Sequence, residues 1–451
     1  MKALLLLATL VACSSAIKVV VFLQGTFESD RRHFEYLAQH LANRNHKVAT
    51  VKALIIPEEK RLVKHRMHDV RELNLNANVD KETIGNITEI WKTAPWQYSY
   101  DTVEIQRAYW PAYVKACQTM LDSDMGERLR EAHYDVAVVY AGQPCQLAIA
   151  YMLAIPVVYM DLEGFTDDTA VAAGMAWQAG WIPSSDSKFD QDMSMAERFV
   201  NAMLWAREHV ASSDIGPLSR LVSSRYAELD QRINTIFQND YELKKHFDDF
   251  PTIAHLKRNI DMFLINGDPM LEFHGREVSP NVAYVGGYHI EPVKPLFQPW
   301  NETIASTPDG LIIMCLGRRV SFASMPITFM QSFFTAFANF PKSRVFVTVD
   351  DLNLPADVQV PPNVNVTRHI PMAELLSTGS VRLLITNGGQ HALMESAIFG
   401  VPSLVIPMVT PDYQNGRKFQ QRNLAVILDK QNITAENVEL YMRKVIDNPK
   451  T

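Results

Sequence analysis

The chain has 451 residues, more than one typical domain needs and enough to bury two sizeable cores. Hydrophobic residues make up 47% and charged residues 21%, a globular composition that excludes intrinsic disorder. The formal net charge is −7 and no basic run occurs, which argues against nucleic acid as a partner.

Lys2, the apolar run Ala3 to Ala12 and Ser14-Ser15-Ala16 read as a secretory signal peptide cut after Ala16. That address implies the endoplasmic reticulum lumen or secretion. No run of about 18 apolar residues follows, so no later segment is expected to span a bilayer. Asn86, Asn301, Asn365 and Asn432 each open an Asn-x-Thr sequon, open to glycosylation in a lumenal chain. Once the signal is removed, Cys117, Cys145 and Cys315 remain. This odd, widely spaced set is neither a disulfide framework nor a metal site, and reads as buried thiols with at most one pair.

Lys18 to Leu23 predicts a strand, Gln24-Gly25-Thr26 a turn, and Phe34, Leu37, Ala38 and Leu41 one helical face before a second strand over Lys47 to Ile55. No G-x-G-x-x-G follows the first strand, so a dinucleotide site has no support. Asn86 to Asp124 is aromatic and helical in pattern, with Trp91, Trp96, Tyr98, Tyr100, Tyr109, Trp110 and Tyr113. A strand over Tyr134 to Val139, a helix over Gln143 to Leu153 and a strand over Ile155 to Met160 follow. Helices continue to about Phe247, Phe263 to Asn266 is a strand, and Tyr288 to Thr303, carrying three prolines, reads as a linker.

The second half repeats the α/β alternation. Leu311 to Leu316 is a strand, Gly317-Arg318-Arg319 a turn, Phe329, Phe333, Phe334 and Phe337 a buried helix face, and Arg344 to Val349 a strand. Between Thr367 and Asn415 the pattern is most explicit. Leu383 to Thr386 is a strand, Gly388-Gly389 a tight turn and Gln390 to Phe399 a helix. Gly400 and Pro402 end that helix, and Ser403 to Ile406 begins a strand. In a parallel sheet that geometry presents free helix-start N–H groups, a ready phosphate site, although a glycine pair alone also fits plain turn chemistry.

This stretch resembles the signature of the UDP-glycosyltransferase family, the UDP-glucuronosyltransferases in particular: W-x-P-Q, an apolar strand, T-H-G-G, a helix carrying Glu, then P-x-x-x-D-Q. The resemblance extends over nearly the whole chain. It implies the GT-B arrangement, two doubly wound Rossmann-like α/β domains facing across a cleft. An acceptor-binding domain would span 17–287, the linker 288–303 and the UDP-sugar-binding domain 304–451. In this family W-x-P-Q meets the base and ribose, T-H-G-G the diphosphate, the helix glutamate the ribose hydroxyls and the D-Q pair the sugar. The corresponding residues here are His369 and Met372, Asn387-Gly388-Gly389 with Gln390, Glu395, and Pro411-Asp412, with Gln414 able to serve if the loop is one residue longer. Gly317 matches the family's L-G-S or L-G-T turn, where Arg318 replaces the hydroxyl residue and is either a phosphate contact or a solvated loop arginine.

The family's base histidine falls at Asp30, with His33 three residues on as a substitute, and the aspartate that orients that base falls at Tyr140. An aspartate of ordinary pKa is a weaker base than imidazole toward a hydroxyl. The bland reading has Asp30 capping its helix. The aromatics of Asn86 to Asp124 would shape the acceptor pocket or simply fill the core. By resemblance the function is transfer of glucuronic acid or glucose from a UDP-sugar to a small lipophilic hydroxyl compound by inverting attack, with no redox cofactor and no need of a metal. Association with itself or with related transferases is the partner reading. The competing expectation is a catalytically impaired member that binds a ligand or partners an active transferase. The family's usual C-terminal transmembrane helix has no counterpart before Thr451, which leaves a soluble form and a truncated sequence as alternatives.

Overall fold

The computed structural model describes residues 16–23, 28–55, 67–97, 107–211, 227–290, 293–317 and 320–447. Two sheets form, each from Val-, Ile- and Leu-rich runs of the kind buried on both faces in parallel α/β proteins. The first has the order β3-β2-β1-β4-β5-β6-β7, with β1 Lys18–Leu23, β2 Lys47–Leu54, β3 Val70–Asn76, β4 Val136–Tyr140, β5 Val157–Asp161, β6 Met262–Ile265 and β7 Val282–Tyr284. The second has the order β10-β9-β8-β11-β12-β13, with β8 Leu311–Cys315, β9 Arg344–Thr348, β10 Val364–Thr367, β11 Val381–Thr386, β12 Ser403–Val405 and β13 Ala425–Ile427. Every neighbouring pair in the second sheet is parallel.

The helices are α1 Glu28–Asn43, α2 Lys81–Thr93, α3 Trp110–Leu121, α4 Met125–Ala132, α5 Pro144–Met152, α6 Asp167–Ala172, α7 Met195–Ala211, α8 Ala227–Asn239, α9 Ile253–Arg258, α10 Trp300–Ala305, α11 Ile327–Ala338, α12 Met372–Leu376, α13 Gln390–Ile398, α14 Thr410–Gln421 and α15 Ala435–Ile446. The expected strands and helices agree with these to within two or three residues. The sequence reading assigned no element to β7, β10, β13, α12, α14 or α15, and two further features differ from it. The polar edge strand β3 was not anticipated, because only Leu73 within it is buried. The end of the expected linker is helical, since α10 begins at Trp300.

The chain clusters into two compact units, one of Met1–Val79, Ala112–Met160 and Asp230–Met262, the other of Asp80–Pro111, Asp161–Leu229 and Phe263–Thr451. In the first, α1 packs Phe34 and Ala38 against the sheet, both fully buried, while Leu37 and Leu41 are half-buried. Cys117 on α3 and Cys145 on α5 form a disulfide, the single pair that the sequence allowed, and Cys315 is free. In the second, Phe333, Phe334 and Phe337 of α11 fill the core on one face of the sheet, as their spacing predicts. Trp96 belongs to the same core, and its indole N–H donates to the Ser321 carbonyl at 2.7 Å.

Candidate functional site

The strand order of the second sheet creates the site. The chain steps from β8 out through β9 and β10, then returns to the other side of β8 as β11 and continues through β12 and β13. The direction of winding therefore reverses between β8 and β11, and open α/β sheets bind ligands at the strand ends beside such a reversal. The two loops leaving there approach closely: a Cβ on Gly317, after β8, would lie 3.4 Å from Asn387 Oδ1, after β11. Arg318 lies outside the described residues.

Asn387, Gly388 and Gly389 turn the chain from β11 into α13. Gly388 has φ +94°, and a Cβ there would sit 2.7 Å from the Asp412 carbonyl oxygen and 2.8 Å from Val405 Cγ1, so only glycine fits. Gly389 is the N-cap of α13, and no side chain among the described residues caps that helix. Its first amides therefore lack intrahelical acceptors and carry the positive end of the helix dipole. An anionic group suits that position.

The neighbouring polar groups are already engaged with one another. Asn387 Nδ2 donates to Asp412 Oδ2 at 3.1 Å, and Asn387 Oδ1 accepts from the Gly389 amide at 3.4 Å. The Met408 amide also donates to Asp412 Oδ2, at 3.4 Å. Asp412 and Asn387 thus tie the loops after β11 and β12 together. Lys430, buried nearby, donates to the carbonyls of Pro95 and Met408, and burial pushes its pKa down to about 8 against the pull of Asp429.

Glu395 lies on α13 more than one turn beyond Gln390 and is partly buried. Loss of water around its carboxyl, with the Glu374 charge second, pushes its pKa up to about 7. Gln390 is turned inward: its side chain is buried, a Cβ on Gly164 or Gly267 would lie within 3.6 Å of its amide, and Oε1 has no hydrogen-bond partner among the described residues. His369 follows edge strand β10 and is exposed, its amide donating to Thr367 Oγ1 at 3.4 Å. Met372 opens α12 and packs against a core cluster. Gln414 is bonded elsewhere; its Nε2 donates to the carbonyls of Ser187 and Phe189 at 2.7 and 3.0 Å.

In the first unit, Asp30 and His33 both lie buried in the first turns of α1. Asp30 is the third residue of that helix rather than its cap. The Tyr140 ring meets Phe34 edge-on at 5.6 Å, and its amide donates to Gln146 Oε1 at 3.2 Å. An apolar cavity of about 20 Å³ lies at the ends of β1 and β2, with Leu23, Tyr113 and Cys117 in its wall.

Several polar residues around α13 and α14 carried no sequence signal, because their partners are far along the chain. His391 Nδ1 lies 3.0 Å from Asn266 Nδ2. Lys418, Glu272 and Arg276 form a buried ion cluster, with Lys418 Nζ 3.1 Å and Arg276 Nε 3.4 Å from Glu272 Oε1. Lys418 and Arg276 hold the Glu272 carboxyl below its ordinary range despite burial, which acts the other way.

The family model "UDP-glucoronosyl and UDP-glucosyl transferase" matches residues 28–451. UDP-glucuronosyltransferase 3A2 of Homo sapiens is 25% identical over 328 residues, covering 72% of this chain and 58% of that protein. The chain thus spans less than two thirds of that relative's length. UDP-glucuronosyltransferase 2C1 of Oryctolagus cuniculus is 22% identical over 431 residues, 92% of this chain and 80% of that protein. Among solved structures, the spinosyn forosaminyltransferase SpnP aligns with a TM-score of 0.60 at 13% identity, covering 97% of this chain and 92% of its own. The calicheamicin glycosyltransferase CalG4 aligns with a TM-score of 0.59 at 16% identity, covering 96% and 91%. These structures share the two-sheet α/β fold called GT-B. With a family model that runs from α1 to the last residue and a glycine loop where such a sheet binds its ligand, the chain belongs to the UDP-glycosyltransferase family.

Proposed function

We propose that this protein transfers a hexosyl group, glucuronosyl or glucosyl, from a UDP-sugar to a small lipophilic hydroxyl compound. The observation that carries the reading is the uncapped start of α13 behind the Asn387-Gly388-Gly389 turn, at the point where the second sheet reverses its winding. In this reading residues 304–451 hold the donor and 17–287 the acceptor, with 288–303 between them. The amides of α13 bind the diphosphate and stabilise the departing UDP as charge develops on it. Glu395 accepts the ribose hydroxyls, and Gly317 lets the backbone approach the phosphates. Asp412 takes a sugar hydroxyl in exchange for one of its present bonds. His369 stacks on the base. Asp30 or His33 removes the proton of the attacking hydroxyl. The work is done in the secretory pathway, and no helix among the described residues is long and apolar enough to cross a membrane.

A second reading, a nucleotide-binding member without transfer activity, is favoured by specific contacts. Tyr140 packs on Phe34 where the family has an aspartate, Gln414 is committed to Ser187 and Phe189, and Asn387 cannot become cationic. Calorimetric titration of the purified protein with UDP, followed by UDP release from UDP-glucuronic acid and UDP-glucose with a panel of phenols, separates the two. Binding with release supports transfer, and replacing Asp30 and His33 in turn identifies the base. Binding without release establishes the second reading. Failure to bind UDP rejects both.

A further inference from the structure

A cavity of about 430 Å³ opens in the first unit among the end of α3, α4, the end of α5 and the turn at Asp240–His246. It is within the range of small-molecule sites, about 300–1,000 Å³. It lies away from the strand ends that the transfer reading uses. Helix α4 leads into the start of β4, and α5 runs back from the end of β4 to Met152, just before the start of β5. The cavity is thus on the side of the sheet where strands begin.

Its floor is apolar. Met120, Met125, Leu129, Ile149 and Leu243 are all buried, and Met152 is partly so. Three of these six are methionines, whose unbranched side chains adapt to ligands of varied outline. The rim is acidic, with Asp122, Glu127, Asp240 and Glu242 set against Arg130 and His246. Existing contacts leave most of that charge in place. Among the described residues Asp122 accepts only from the neutral Gln118 amide, and Asp240 only from the Leu243 backbone N–H, both at 2.9 Å, whereas Glu242 pairs with Lys245 at 2.7 Å. Among the described residues no Phe, Tyr or Trp lines the cavity, so they form no cage for a quaternary ammonium there. A primary ammonium has three donors for the carboxylates, and an alkyl chain behind it matches the methionine floor.

We propose that this cavity binds a small lipophilic primary ammonium ion, its alkyl chain on the Met120, Met125 and Met152 floor and its charge at the acidic rim.

The test is calorimetric titration of the full chain with octylammonium, 1-octanol and octanoate. Octylammonium is expected to bind at least tenfold more tightly than 1-octanol, and octanoate more weakly than either. The double variant Glu127→Gln/Asp240→Asn, on the rim, should bring octylammonium within about threefold of 1-octanol. Gly126→Phe, whose Cβ would start 3.5 Å from Met152 Cε, and Met152→Trp should each fill the cavity and abolish binding of the amine. Should either filled variant fail to fold, the rim variant still decides. Equal affinity for the amine and the alcohol overturns the proposal, as does amine binding that survives the rim variant and either folded cavity-filling variant.

Discussion

Gly388 and Gly389 adjoin each other, yet their constraints differ. Gly388 needs a positive φ and leaves no room for a Cβ, whereas Gly389 has φ −58° and a Cβ there would meet Asn387 Oδ1 at an ordinary 3.4 Å. Gly388→Ala should therefore destabilise the protein by roughly 1–3 kcal/mol in chemical denaturation, through backbone strain and a forced shift of the Asp412 backbone. Gly389→Ala should change it by less than about 1 kcal/mol. Glu395 makes a second prediction at this scale. Its pKa near 7 means that the ionised form, the better acceptor for a diol, grows between about pH 6 and 8. UDP affinity measured by calorimetry should rise across that interval. Glu395→Gln should flatten the rise. Glu374→Gln should move its midpoint to lower pH, because the Glu374 charge contributes to the upward shift.

Elements whose identity is local were legible in the sequence. The strands β1, β8 and β11 are mostly apolar and rich in Val, Ile and Leu, and α11 has its phenylalanines on one face, so period and composition were enough. The turn ahead of α13 was legible for the same reason, since two glycines between strand and helix restrict what the backbone can do there. What stayed hidden depends on residues far apart. Nothing about Gln414 announces that it bonds to Ser187 and Phe189, or about Met372 that it is a core contact, and the pairing of Cys117 with Cys145 rather than Cys315 is a property of the fold. Trp96 is the clearest case. It follows α2 in a stretch whose aromatics were open to an acceptor-pocket role, but it is buried among Met325, Met330 and Phe333 in the core of the second sheet. Trp96→Ala should cost about 3–5 kcal/mol, the usual range for emptying a large aromatic site. Trp96→Phe should cost less, losing mainly the bond to the Ser321 carbonyl. Thermal melts of the two variants check the order.

For the molecule as a whole, pH enters through carboxylates buried where the second unit folds around α6. Asp161 accepts from the Thr166 and Thr169 hydroxyls at 3.0 and 2.6 Å, and Asp167 accepts from the Ser185 amide at 3.1 Å and from the Ser184 hydroxyl. Burial outweighs these bonds and pushes both groups up from 3.8 to about 6. The usual acid-stability argument is therefore reversed for this pair. Between about pH 4 and pH 6 the native state holds more protons on these groups than the unfolded chain does, so their contribution to stability falls as pH rises through that window and is level above it. His289 acts in the opposite direction over nearly the same range. Burial lowers it from 6.5 to about 4, so the unfolded chain takes up the proton first as pH falls and the native state loses stability. The histidine offsets part of the effect of the two carboxylates in the wild-type profile, and only a difference between variants separates them. Relative to Asp161→Asn, the wild type should be more stable at pH 4 than at pH 7 by an amount on the order of 3 kcal/mol, since each pKa unit corresponds to about 1.4 kcal/mol. Urea denaturation of both proteins at a series of pH values measures that difference. A difference that stays constant, or grows toward neutral pH, would show that the Asp161 carboxyl is ionised throughout and that its bonds to Thr166 and Thr169 outweigh its burial.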